Sequence, residues 1–166
     1  MAERLKRVAV DSSVVLDLLV PVDDAHADRA EYLLAGHRDR HQILLPAIVI
    51  TEIAGAGEVR GQHLTTEVRE ERVAKALDWI RQSNFIVAEL SERTARRAAA
   101  LAVAHQLKGP DASILATAEQ WSCTQLYTRD TDLLKCEGQF GFKIAVPDDP
   151  PPPKEPEPDL FSTAAE

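Results

Sequence analysis

Four acidic side chains stand where a chain of alternating strands and helices could bring them together. Asp11 follows the apolar run Val8-Ala9-Val10 and precedes two hydroxyls, Ser12 and Ser13. Glu52 interrupts an otherwise apolar stretch from Ala47 to Ala54. Asp111 follows Gly109-Pro110, and Asp130 comes just after Gln125-Leu126-Tyr127-Thr128. Each has an ordinary explanation on its own. Asp11 and Asp111 can cap the helices that follow them, and Glu52 can pair with an arginine, because a lone buried charge is costly. Gathered in one crevice, however, the four would repel one another strongly unless a cation sat among them. An all-oxygen ligand set suits Mg²⁺ or Mn²⁺. An ion of that kind at a phosphate ester can activate water and steady the leaving oxygen. No softer site competes. Cys123 and Cys136 lack metal-ligand spacing and are expected as reduced thiols. His37 and His41 are four apart, but they follow Gly36, which ends a helix.

The elements that must position these groups follow from pattern. Short apolar runs at residues 8–10, 43–45, 85–90, 125–128 and 143–146 read as strands. Between them lie helical patterns: one after Asp11, one capped by Asp23 or Asp24 and running to about Ala35, and one from Ala47 to Ala54 after Pro46. A long amphipathic helix is expected over 65–82, with Val73, Ala76, Leu77 and Ile80 as its buried stripe. An alanine-rich helix from Ser91 to about Gln106 follows, and another after Asp111, with Asp111 as its N-cap. Alternating strands and helices predict an α/β fold: a mainly parallel central sheet of about five strands, with helices on both faces. In such a sheet Asp11 and Asp130 share the carboxyl edge, where ligands of open α/β folds sit.

One domain over residues 1–146 is expected from a length of 166 residues. The proline-rich stretch 147–166, with Leu160-Phe161 as a short apolar element, reads as a disordered or polyproline-like tail. The net charge of −8 is unevenly spread: the tail carries −5 and the remainder −3. That balance excludes a simple basic nucleic-acid binder but not an enzyme whose carboxylates are offset by bound metal. No apolar run reaches the roughly 18 residues of a membrane span, and no signal segment precedes the first strand. A cytoplasmic protein with no membrane association is the expectation. Arg93, Arg96 and Arg97 gather at a helix start, where salt bridges are the simplest reading and a phosphate-facing edge the sharper one.

The motifs together resemble the PIN-domain ribonucleases, in particular the VapC-like toxins of bacterial toxin–antitoxin pairs. The matching pieces are the segment from Val10 to Leu19, Thr51-Glu52-Ile53, Pro110-Asp111-Ala112 with its alanine-rich helix, and the segment from Thr128 to Leu133. In order and spacing they span residues 8–146. The resemblance implies a PIN-like fold and a Mg²⁺ or Mn²⁺ site made by Asp11, Glu52, Asp111 and Asp130, with Asp132 as a further candidate. It also implies hydroxyl support from Ser13 and Thr128, and hydrolysis of RNA by water. A homodimer and a cognate antitoxin protein are the implied partners. A haloacid-dehalogenase-type phosphatase would need a second Asp where Ser13 stands. The remaining alternative is a non-catalytic PIN-like module that binds RNA or protein.

Overall fold

Residue types along β1 (Arg7–Val10) and β2 (Gln42–Pro46) explain the centre of the fold. Both are nearly continuous apolar runs, and Ala9, Val10, Ile43, Leu44 and Leu45 are fully buried. Strands of that kind belong to a sheet covered on both faces. The computed structural model describes residues 4–153. β3 (Ile86–Ala88), β4 (Gln125–Tyr127) and β5 (Lys143–Ala145) complete an all-parallel sheet in the order β3-β2-β1-β4-β5. The pairings Ala9↔Leu44 and Ala9↔Leu126 set β1 in register between its neighbours.

The strand order reverses direction at β1. α1 (Ser12–Leu19), α2 (Asp24–Ala35), α3 (Ala47–Gly55), α4 (Gly57–Arg60) and α5 (Thr66–Ser83) serve the steps from β1 to β3. α6 (Glu92–His105) and α7 (Gly109–Gln120) carry the chain back across the sheet to β4, and α8 (Thr131–Leu134) precedes β5. Right-handed crossovers in opposite directions place helices on opposite faces. The crevice between the carboxyl ends of β1 and β4 is therefore a topological switch point, the usual ligand position of an open α/β sheet.

Local chemistry sets the element ends. Asp23 caps α2 by accepting from the backbone N–H of His26, and Ser91 caps α6 by accepting from Thr94. Three expectations change. Gly109-Pro110 does not break the chain but forms the first turn of α7; proline suits that turn because its missing N–H would be unsatisfied there anyway. Lys108 is consequently the N-cap and Asp111 lies inside the first turn. The third strand shrinks to Ile86–Ala88, because at the sheet edge Glu89 and Leu90 are exposed. The short helices α4 and α8 add to the elements expected from the sequence.

His37 sits where both ring nitrogens are used. Its Nδ1 accepts from the backbone N–H of Ile43 at 3.0 Å, so Nε2 carries the proton donated to the Asn84 carbonyl. Arg96 pairs with Glu92 and Arg97 with Glu119, which bears out the salt-bridge reading for these two of the three arginines. Cys123 and Cys136 are free and buried. Residues 147–153 carry no helix or strand, although Asp149 meets Arg29 of α2 at 2.6 Å. Leu160-Phe161 lies outside the described residues. Among the described residues no helix is long and apolar enough to cross a membrane.

Candidate active site

Asp11 ends β1 and caps α1, and its carboxylate is the hub of the switch-point crevice. Oδ1 accepts from the Ser12 backbone N–H at 2.7 Å, and Oδ2 accepts from the hydroxyls of Ser13 and Thr128, both at 2.7 Å. Only 3% of Asp11 and none of Thr128 is exposed. Charge-assisted hydrogen bonds of this number are what allow a carboxylate to be buried. Asp11 thus caps α1 through Oδ1 and meets the two hydroxyls through Oδ2.

Thr128 and Ser13 do more than support Asp11. The Thr128 hydroxyl also accepts from the Asp130 backbone N–H at 2.9 Å, and the Ser13 hydroxyl accepts from the Arg129 backbone N–H at 2.9 Å. Two hydroxyls therefore stitch the carboxyl end of β1 to that of β4. Asp130 is fixed in turn by capping α8, where its Oδ1 accepts from Asp132 and Leu133.

Glu52 and Asp111 are held differently. Glu52 reaches the crevice from the middle of α3, where it is half-buried, and its Oε2 is a buried oxygen without a hydrogen-bond partner. Burial, then the charge of Asp11, raises its pKa to about 7; a Ser12 hydrogen bond opposes this, while Asp111 and Asp130 add to it. Asp111, in the first turn of α7, is raised to about 6 by burial, then by Asp130 and Asp11, against the nearby Lys108. Two carboxylates pinned by donors and two with raised affinity for protons make a site whose acidic charge is incompletely balanced.

All four carboxylates line one cleft of about 400 Å³, together with Ser12, Ser13, Lys108 and Arg129. Asp132 is exposed, bonds to Lys135 at 2.9 Å and lines a separate cleft beside His105 and Cys136. A larger groove lined by Leu18, Leu19, Leu34, Trp79 and Phe85 is mainly apolar and contains none of the four. The unpartnered Oε2 of Glu52 and the mutual repulsion of the cluster fit a hard divalent cation. Among the described residues, no three acidic, histidine or cysteine side chains are yet drawn close enough to hold one.

Three residues at or beside the cleft, Arg129, Asp17 and Lys108, are not singled out by sequence reasoning. The Arg129 guanidinium donates through Nη2 to Asp17, a residue only 3% exposed. Asp17 stands in α1 close behind Val14 and Val15, both buried. A lone acid in so apolar a segment carries the same signal as Glu52: something cationic must meet it. Lys108 gives no such signal, because its position depends on where α7 begins.

Comparison with known proteins agrees with this geometry. The sequence profile of the PIN domain family matches residues 8–138. No curated protein matches the chain. Among solved structures, a toxin–antitoxin complex from Klebsiella pneumoniae superposes with a TM-score of 0.60 at 22% identity, over 86% of this chain and 98% of that one. Mycobacterium tuberculosis VapC20, a Sarcin-Ricin loop cleaving toxin, gives 0.62 at 20% identity over 82% and 98%. VapBC2 from Rickettsia felis, bound to a DNA fragment from its promoter, gives 0.60 at 14% identity over 86% and 99%. At these identities the structures establish a shared fold.

Proposed function

The chain belongs to the PIN domain family, and on that premise we propose that it is a metal-dependent ribonuclease that hydrolyses RNA phosphodiester bonds as the toxin of a toxin–antitoxin pair. The observation that carries this reading is the convergence of Asp11, Glu52, Asp111 and Asp130 on one cleft, with a buried Glu52 oxygen left without a partner. Mg²⁺ or Mn²⁺ held by these four would polarise the scissile phosphate and lower the pKa of an attacking water.

The chain's own groups supply the preorganisation. Ser13 and Thr128 fix the Asp11 carboxylate through hydrogen bonds to one oxygen. The α8 cap occupies Oδ1 of Asp130, leaving Oδ2 for the cleft. Glu52 and Asp111 retain protons more readily than ordinary carboxylic acids, so they relinquish them when positive charge arrives. Asp132, bonded to Lys135 and outside the cleft, supports the local charge without joining the four. The same reading carries a homodimer, a cognate antitoxin and a cytoplasmic setting.

A second reading, a non-catalytic PIN-like module that binds RNA or protein, draws on the absence, among the described residues, of a closed ligand triad. The discriminating experiment incubates purified protein with a mixed RNA pool in Mg²⁺, in Mn²⁺ and in chelator. Metal-dependent fragments lost in Asp11→Asn support the nuclease; intact RNA under all conditions supports the module.

A further inference from the structure

Lys108 and Arg129 are the basic residues that line the cleft beside the four carboxylates, and the Lys108 charge is felt by Asp111. They come from different elements, the start of α7 and the loop after β4. Lys108 is the N-cap residue of α7 and is exposed. Arg129 lies between Thr128 and Asp130, and its backbone N–H, not its side chain, makes the bond to Ser13 that holds this loop.

The guanidinium has five donors, and Asp17 takes one of them, at Nη2. Nε is buried without an acceptor, yet 32% of the side chain is exposed. Neutralising Asp17 could be done from anywhere around that carboxylate. Here it is done by Arg129, a residue that also lines the candidate active site. Asp17, in effect, fixes the fork.

We infer that Lys108 and Arg129 take the RNA phosphates flanking the scissile bond, with Asp17 as the residue that positions Arg129. This extends the ribonuclease reading and rests on it. It explains how a chain with a net charge of −8 can admit a polyanion: through one local cationic edge. The two residues contribute differently, because arginine offers a planar fork to phosphate oxygens and lysine a mobile point charge.

The test is fluorescence anisotropy of a labelled, mixed-sequence, single-stranded RNA in Mn²⁺, on an Asp11→Asn background to suppress cleavage, across a salt series. Each phosphate contact to single-stranded RNA contributes about −0.7 to the slope of log K against log salt. Lys108→Met should weaken binding several-fold at low salt and flatten the slope by about that amount. Arg129→Met alone would leave Asp17 as an unpaired buried charge, so it is made together with Asp17→Asn, and the same flattening is expected. Arg129→Lys keeps a charge for Asp17 but loses the fork, so the slope should persist while affinity falls. In the active background, Lys108→Met should raise KM and leave kcat within about twofold, a split that a loss of stability does not produce. Parental slopes and affinities in Lys108→Met and in a folded Arg129 variant overturn the inference while leaving a wild-type nuclease intact. Should the double variant not fold, Lys108→Met and Arg129→Lys decide the matter. No RNA binding by the parental protein would overturn the ribonuclease reading and the inference together.

Discussion

Replacing Glu52 by glutamine should stabilise the metal-free protein near pH 8 and do little near pH 4. Burial, followed by the charges of its neighbours, moves the Glu52 carboxyl from 4.5 to about 7. At about 1.4 kcal/mol per unit the whole shift corresponds to roughly 3 kcal/mol. Glu52 is only half-buried, so solvent screening reduces the usable part to about 1–2 kcal/mol. Below 4.5 the folded and unfolded chains both hold the proton and nothing is lost. Between 4.5 and about 7 the unfolded chain has released it while the folded chain retains it, so folding becomes steadily less favourable as pH rises. Above about 7 the penalty is complete. Glutamine does not titrate and escapes it. For a domain of this size, 1 kcal/mol moves Tm by about 2–4 °C, so the variant should melt about 2–8 °C above wild type near pH 8. Melts in chelator at about pH 4, 6 and 8 measure the gap directly. Equal melting near pH 8, or a gap as wide near pH 4, would refute the raised Glu52 pKa as the cause. Adding Mn²⁺ should narrow or reverse the gap, because only the glutamate can give the ion its oxygen.

Thr128→Val removes the hydroxyl that donates to Asp11 and accepts from Asp130, and should cost about 1–3 kcal/mol in urea unfolding. Thr128→Ser should recover most of that loss. Mn²⁺ added in weak buffer near pH 6.5 should release protons from Glu52 and Asp111, whose pKa values are raised to about 7 and about 6. A pH-indicator titration should show this release fading near pH 8.5 and disappearing in Glu52→Gln/Asp111→Asn. Truncation after Val146 should leave Tm, metal response and low-salt RNA affinity unchanged, because the Arg29–Asp149 pair is a surface contact. A lower Tm would show that the removed segment packs, and a higher RNA affinity would show that its acids compete with phosphate.

The sheet was legible because β1 and β2 are nearly continuous apolar runs, and because the helices between strands carry caps and stripes of ordinary chemistry. The carboxyl edge followed from topology, so Asp11 and Asp130 could be placed together from spacing alone. Glu52 was marked by its own incongruity: an acid among Ile48, Val49, Ile50 and Ile53 demands a partner. Asp17 gave the same signal, masked by the more conspicuous Asp11 six residues before it. The α7 start was misplaced because glycine followed by proline reads as a breaker, although proline in a first helical turn loses no hydrogen bond. That error hid Lys108, whose place at the cleft is set by the helix start. The double use of Thr128 and Ser13, joining two strands as well as holding Asp11, could not be read from sequence, since hydroxyl direction depends on tertiary register.

The central claim is that four carboxylates form one metal-dependent nuclease site, and RNA cleavage by matched preparations of wild type and Asp11→Asn tests it most directly. Asparagine retains a capping oxygen for α1 but removes the charge at the hub of the cleft. Wild type should fragment RNA in Mg²⁺ or Mn²⁺ and stop in chelator. Asp11→Asn should melt as a folded protein and lose at least about a hundredfold in rate, some 2.7 kcal/mol of transition-state stabilisation. Cleavage by folded Asp11→Asn at the wild-type rate, or wild-type cleavage that persists undiminished in chelator, would contradict the claim.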